Sequence, residues 1–191
     1  MFRRLSLSLA ALSLVALAAV SCSKTQQTSE TTPPESTAHA GLTDNEIVAI
    51  FVATNDADIK NGEQAKTKAR SQRVKDFADR MVQDHTAAKN EASHLADQLS
   101  IVPQEDETSR SLVSANDAMR DSLAKLKGAD YDKAYVDNEV AVHEQVLNAL
   151  DQQLIPNAQN AELKTLLERV RPTIQSHLDH AKQLQSASAS R

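Results

Sequence analysis

Three histidines are the side chains in this sequence best suited to carry chemistry. His85, His143 and His177 lie at helical spacing from apolar residues, on three different predicted helices. Imidazole nitrogens with nearby carboxylates suit Fe, Zn, Cu or Ni. Asp58 lies on the apolar stripe of another predicted helix, and Glu139 precedes His143 by one helical turn. The candidate ligand set is therefore Asp58, His85, Glu139, His143 and His177.

The predicted helix lengths place these residues at comparable heights. With a turn near residue 70, Asp58 and His85 both lie about 20 Å from that end of a hairpin, at about 1.5 Å per residue. In a second hairpin, His143 and His177 lie about 18 Å and about 25 Å from the connecting turn. A shared centre halfway along a bundle is conceivable, with a mismatch of about one turn in its second half.

The signature of di-iron bundles is missing at these histidines. Such bundles carry Glu three residues before His on two helices, whereas Val82 and Val140 precede His85 and His143 at that spacing. The sequence does contain one such pair in a polar stretch, ending at His94, and we expect that side chain to face solvent.

Two interpretations of the three histidines stay open. In the first they are neutral, partly buried and hydrogen-bonded to Asp or Tyr, so that they fix the helix register or respond to pH. In the second they bind a metal or another cofactor. A single core-facing histidine more often has the first role, which is therefore the favoured interpretation from the residues alone.

The elements that must position these residues are long amphipathic helices. Apolar residues recur every three or four positions and predict helices over about 43–69, 71–99, 108–127, 130–150 and 160–185. An all-α, ferritin-like four-helix bundle follows, in which the first two and the last two helices form antiparallel hairpins. The third helix would belong to the long crossover between them. A five-helix up-and-down bundle is the alternative.

Residues with special conformations mark the predicted helix ends. Thr43 begins a capping box, and Ser71 and Asp130 are predicted caps of later helices. Gly128 is placed to end the third helix in the left-handed conformation. Pro172 falls inside the last predicted helix and is expected to kink or divide it.

The first 22 residues have the order of a bacterial lipoprotein signal. Arg3 and Arg4 precede an apolar stretch that ends in Ala-Val-Ser before Cys22, the single cysteine of the chain. We therefore expect residues 1–21 to be a signal peptide and Cys22 to carry lipid. Because Ser23 rather than Asp follows the cysteine, we expect an outer-membrane anchor that faces the periplasm.

Composition divides the remaining chain into a tether, one domain and a tail. Residues 22–42 are rich in Ser, Thr, Gln, Glu and Pro, which predicts a lipid-anchored disordered tether. Residues 43–186 are long enough for one domain with its own core, and residues 187–191 are expected to be a frayed tail.

Charge and motif content exclude several classes of function. The chain has a formal net charge of −5, two Tyr and no Trp, so it lacks the basic surface and the stacking platforms of a nucleic-acid binder. It contains neither a Gly-rich phosphate loop nor a Gly-x-Ser-x-Gly turn. We therefore do not expect a hydrolase, and an enzymatic role is not favoured.

Four segments of the sequence carry a recognisable pattern. They are ADIKNG (57–62), VKDFADRMVQDHT (74–86), YDKAY (131–135) followed by Val140 and His143, and RPTIQSHL (171–178). The pattern resembles the bacterial domain-of-unknown-function family 4142, whose members are often labelled predicted outer-membrane or ferritin-like proteins. The resemblance covers about residues 44–185 and implies a ferritin-like bundle with a long crossover, but little about activity. Asp58 departs from it, because family members more often carry Glu there.

Two functional hypotheses result. The favoured one is an exported lipoprotein, held at the membrane by lipid on Cys22, whose bundle is an envelope interaction or stress-related module that binds a protein or a small apolar ligand. The alternative is a ferritin-like transition-metal-binding protein or oxidoreductase that uses its inward-facing His and Asp or Glu side chains. Neither hypothesis includes nucleic acid as a partner.

Overall fold

The computed structural model describes residues 41–189. Within that range the chain forms five long helices, numbered here α1 (Asp44–Lys68), α2 (Gln72–Leu99), α3 (Glu107–Ala124), α4 (Gly128–Ala149) and α5 (Ala161–Ala189). A π-helical turn, Leu150–Leu154, and a short helical turn, Ile155–Asn157, follow α4. None of the helices in this part of the chain has the length and apolar character needed to cross a bilayer. The predicted signal peptide, Cys22 and residues 22–40 of the predicted tether lie outside the described residues.

Contacts between the helix ends show how the chain is threaded. Just beyond the end of α2, the backbone N–H of Gln104 donates to the carbonyl of Asn45 at 3.0 Å, which places this point beside the start of α1. The chain then returns along α1 as α3, and Gln64 donates its side-chain amide to the carbonyl of Arg120 at 3.2 Å. Thus α3 spans the length of the bundle, and α4 begins at the opposite end, where Gly128 forms an isolated bridge with Ala69.

The closest helix pairs are the two predicted hairpins. α1 packs against α2, α4 packs against α5, and α3 lies on α1. The buried positions of α3 are Ser109 and Leu123, whereas its Val113 and Met119 are exposed. The predicted ferritin-like four-helix bundle with a helix in the crossover is therefore confirmed.

A glycine lets the first hairpin close tightly. A Cβ atom at Gly62 would lie 2.8 Å from the Val82 Cγ2 atom and 3.1 Å from the carbonyl oxygen of Ala78. Both distances are shorter than ordinary van der Waals contact, so the neighbouring atoms would have to move. A side chain here would therefore push α1 away from α2. The glycine thus keeps the two helices close enough for polar side chains to meet between them.

The helix ends agree with the sequence in part. The capping box is present, with Thr43 N–H donating to Glu46 Oε2 at 2.8 Å. The predicted cap at Asp130 is wrong, because α4 already begins at Gly128 and Asp130 lies in its first turn. Gly128 has the expected positive φ of 60°, but α3 ends earlier, at Ala124.

The last helix is longer than the sequence suggests and is not divided at its proline. α5 runs without a break through Pro172, because the residues flanking the missing donor, Val170 and Ile174, are anchored in the core. The helix also continues to Ala189, so residues 187–189 of the predicted frayed tail are helical. Leu42, placed in the predicted tether, packs against the core.

A carboxylate from α4 caps the turn between α1 and α2. Ser71 occupies the N-cap position of α2, but its hydroxyl makes no capping bond. Instead, the Asp132 carboxylate accepts hydrogen bonds from the backbone N–H groups of Arg70 and Ser71, both at 2.8 Å. This contact ties the first hairpin to the second.

We expect Asp132→Ala to lower the free energy of unfolding by about 1–3 kcal/mol, because two backbone donors lose a charged acceptor. The matched change Ser71→Ala should alter it by less than about 0.5 kcal/mol. Urea denaturation of both variants measures the difference. Equal losses would contradict the capping role of Asp132.

Candidate metal centre

A layer of buried polar side chains divides the core of the bundle. One apolar cluster includes Phe51 and Leu147 near one end, and the other includes Phe77 and Tyr135 towards the opposite end. The helices α1, α2 and α5 each contribute one of these polar residues, and α4 contributes two. The residues are Asp58, His85, Glu139, His143 and His177, none of them more than 3% exposed. The structure therefore places all five predicted candidates in the interior, where polar groups need partners.

The three histidines meet in one cluster. The ring centroids of His85 lie 5.7 Å from His143 and 5.2 Å from His177, and the last two are 5.5 Å apart. One ring nitrogen of each lies within 4.8 Å of the other two, and in residues 41–189 this is the one group found with such metal-ligand proximity. An ion with Zn–N distances of about 2.0–2.1 Å would draw the rings together by about 1 Å.

The mismatch of about one turn that was expected between His143 and His177 is smaller in the structure. The helical path after α4 continues through the π-helical turn as far as Asn157, so the first arm of this hairpin is longer than the sequence suggests. Measured from Asn157 and from Ala161, the two histidines lie at about 21 Å and about 24 Å. The extension of this arm to Asn157, which includes a π-helical turn of the kind common near functional sites, thus reduces the difference in height to about 3 Å.

Two of the imidazoles are oriented by buried acceptors. His85 Nδ1 lies 2.9 Å from Asn55 Oδ1, and the Asn55 amide donates to the Phe51 carbonyl at 2.7 Å. This second bond turns the Asn55 oxygen towards His85, so His85 Nδ1 carries the proton. His143 Nδ1 donates to the backbone carbonyl of Glu139 at 2.8 Å. In both rings Nε2 is therefore the nitrogen with a free lone pair.

The third imidazole is oriented by a carboxylate that reaches solvent. His177 Nε2 donates to Asp84 Oδ2 at 2.8 Å, and the Asp84 side chain is 35% exposed. The remaining nitrogens, His85 Nε2, His143 Nε2 and His177 Nδ1, are buried and have no hydrogen-bond partner among the described residues. Such outer acceptors are what fixes the tautomer of metal-bound histidines.

Burial keeps the three rings neutral at physiological pH. It lowers the pKa of His85, His143 and His177 from 6.5 to about 4, because the interior disfavours the imidazolium form. Metal binding requires the neutral ring with its lone pair available. The site is therefore in the binding-competent protonation state without the help of an ion.

The two acidic residues of the layer have different positions. Asp58 Oδ2 lies 3.7 Å from His85 Nε2, the nitrogen with the free lone pair, whereas Glu139 Oε2 lies 3.6 Å from His143 Nδ1, which already donates to the backbone. Burial raises the pKa of Asp58 to about 6, with an opposing effect of His143. Burial and then the Asp58 charge raise the pKa of Glu139 well above its usual value. Asp58 is therefore the better-placed fourth ligand, whereas burial favours the protonated form of Glu139.

Two residues that orient the cluster were not singled out in the sequence. Asn55 lies three residues before Asp58 on the same face of α1, and this helical spacing could have identified it as a residue of the cluster. Asp84 is adjacent to His85 in sequence but binds His177 on α5, and local spacing gives no sign of that contact. His94, expected to face solvent, is exposed.

The chain shares its fold with known proteins. A family model described as Domain of unknown function (DUF4142) matches residues 28–184. A DUF305 protein from Streptomyces coelicolor, described as secreted, has a TM-score of 0.63 and 10% identity, with 75% of this chain and 92% of that chain covered. CopM in its Cu(II)-bound form has a TM-score of 0.59 and 15% identity, with 77% of this chain and 98% of that chain covered. No curated protein shows significant sequence similarity.

Proposed function

The chain belongs to the DUF4142 family, and we propose that in this member His85, His143 and His177 bind one transition-metal ion. Asp58 is the fourth ligand. The protein is then a metal-binding helical bundle rather than a bundle whose histidines only pack.

The observation that carries this proposal is the set of three unpartnered nitrogens. Each ring is held by one hydrogen bond and leaves its second nitrogen buried and unsatisfied within the described part of the chain. A buried polar atom without a partner costs about 1–3 kcal/mol. Histidines that only fix helix register would have no need of three unsatisfied nitrogens in one cluster of rings, whereas a bound ion would satisfy such nitrogens together.

Copper is the metal we propose first. Nitrogen-rich sites bind Cu(II) more tightly than other divalent first-row metals, and the Cu(II)-bound CopM structure shares the fold. Zn(II) is the second candidate, because three imidazoles and one carboxylate make a four-coordinate set. A di-iron oxidoreductase is disfavoured, since the paired Glu-x-x-His motifs are missing at His85 and His143.

We further propose that this bundle acts in the bacterial cell envelope. The support is the lipoprotein-like order of residues 1–22, which predicts export and lipid on Cys22. An anchor in the outer membrane would hold the domain on the periplasmic side. The interaction with an envelope protein stays a prediction.

Metal analysis of untagged protein tests the proposed function. Protein prepared without chelators and titrated with Cu(II) should bind one ion per chain, and His143→Ala should weaken binding by about 100-fold or more, beyond the range typical of outer-shell changes. His94→Ala removes an exposed histidine and is the matched control. Binding that survives His143→Ala with an unchanged dissociation constant would overturn the proposal, whatever the effect of His94→Ala.

A further inference from the structure

Among the clefts formed by residues 41–189, two reach from the surface to the histidine cluster. The first lies between α2 and α5, has a volume of about 240 Å³, and is lined by both His85 and His177. Its remaining wall includes Asp84 and Glu91 from α2 and Arg169 from α5. The two histidines that line it are almost fully buried, and His85 Nε2 and His177 Nδ1 have no hydrogen-bond partner among the described residues.

The second cleft has a different chemistry. It lies between α1, α3 and α4, has a volume of about 200 Å³, and reaches only His85 of the three histidines. Its wall is largely apolar and includes Leu112, Val146 and Leu150, with neutral Thr, Asn and Gln side chains but no carboxylate. A hydrated cation that entered here would lose water molecules and would find no negatively charged oxygen to replace them.

We propose that the α2–α5 cleft is the entrance through which the metal ion reaches the three histidines. This inference rests on the proposed function and adds a route to it. Asp84 contacts both solvent and His177 Nε2, so its carboxylate connects the outside of the cleft with the imidazole of His177. An arriving cation can exchange water for carboxylate oxygen there before it meets the buried nitrogens.

Salt bridges control the charge at the mouth of this cleft. Glu91 pairs with Arg169 across the cleft, and Asp84 also lies 3.4 Å from the Nε atom of Arg80 on its own helix. The two carboxylates are therefore each balanced by a guanidinium. Loss of the carboxylate of a pair should slow the entry of a cation, whereas loss of the guanidinium should accelerate it.

Blocking the cleft tests the route. Ala87 on α2 and Thr173 on α5 are exposed residues of its wall. Ala87→Phe, Thr173→Phe and the double variant should slow Cu(II) association and dissociation by the same factor, about tenfold or more in the double variant, because a barrier on the path affects both directions equally. The dissociation constant should stay within about twofold.

Matched substitutions in other grooves are the controls. Ala141→Phe places the same side chain at an exposed position of a groove between α3 and α4 that contains no histidine, and its rates should equal those of the unmodified protein. Ala149→Phe fills the apolar cleft that reaches His85. The chain has two Tyr and no Trp, so Cu(II) quenching of tyrosine emission in stopped flow reports association, and transfer of Cu(II) to a chelator reports dissociation.

The charge variants give an independent measurement. Glu91→Gln leaves Arg169 unbalanced and should slow association by about threefold at low ionic strength, whereas Arg169→Gln should accelerate it by a similar factor. Both effects should fade at high salt, where the screening length falls to a few ångströms.

The outcomes separate this inference from the proposed function. If the unmodified protein binds no Cu(II) in an equilibrium titration, the proposed function itself fails. If it binds Cu(II) but the Ala87 and Thr173 variants keep normal rates, only the route is wrong. If Ala149→Phe alone slows both rates, the ion enters through the apolar cleft and the inference is overturned.

Discussion

Saturating Cu(II) should raise the melting temperature of the domain by about 5–10 °C. An ion that binds only the folded state, at a free concentration of one hundred times Kd, stabilises it by about 2.7 kcal/mol. For a domain of this size, each kcal/mol corresponds to about 2–4 °C. Circular dichroism melts with and without the ion measure the shift, and the helical content of the bundle gives a strong signal.

The shift should depend on the buried histidines alone. His143→Ala and His177→Ala should each abolish it, because each removes one of the three imidazoles that place a ring nitrogen within 4.8 Å of the other two. His94→Ala should retain it in full, since that side chain is exposed. Each variant is compared with its own metal-free melt, so any change in its intrinsic stability is subtracted. A shift that persists in both triad variants would place the ion elsewhere.

Acidification of the metal-free protein from pH 6.5 to pH 4 should lower its free energy of unfolding. Each buried imidazole has a pKa of about 4 when folded and 6.5 when exposed, so the unfolded chain binds more protons in this window and stability falls as pH falls. One such group contributes about 3 kcal/mol over the window. Three imidazoles together would therefore lower the stability by several kcal/mol if no other group opposed them.

The buried carboxyl groups oppose this loss. Asp58 has a folded pKa of about 6 against 3.8 for the exposed group, so the folded state takes up its proton first and gains about 3 kcal/mol as pH falls. Glu139 acts in the same direction because its pKa is also raised. The three imidazoles outnumber the two carboxyl groups, so the net effect of acidification is a loss of stability.

Asp58→Asn makes this balance measurable. The amide cannot take up a proton, so the variant should lose about 3 kcal/mol more than the parent protein between pH 6.5 and pH 4. Urea denaturation at a series of pH values, in buffer freed of metal, measures both curves. Parallel curves for parent and variant, or a parent that becomes more stable towards pH 5, would contradict these pKa assignments.

Much of the fold was predictable because it depends on local periodicity. The apolar spacing in residues 43–186 predicts the five helices and their order, and the capping box at Thr43 and Glu46 satisfies its own backbone within one turn. The family resemblance, carried by segments of these same helices, is confirmed. The inward position of His85, His143 and His177 follows from the same periodicity, since a residue on an apolar stripe is buried when the stripe packs.

The chemistry of the centre was decided by contacts between helices. The sequence favoured histidines that only pack, because it does not show which atoms face each ring. That depends on how the helices are positioned against one another, which includes the close approach of α1 and α2 at Gly62 and the π-helical turn after α4. A shift of one residue moves a side chain by about 1.5 Å along the helix axis and turns it by about 100° around that axis. Local sequence therefore determines that the imidazoles point inward, whereas only the packed bundle brings Asn55 and Asp84 against two of the rings and leaves three nitrogens without a partner among the described residues.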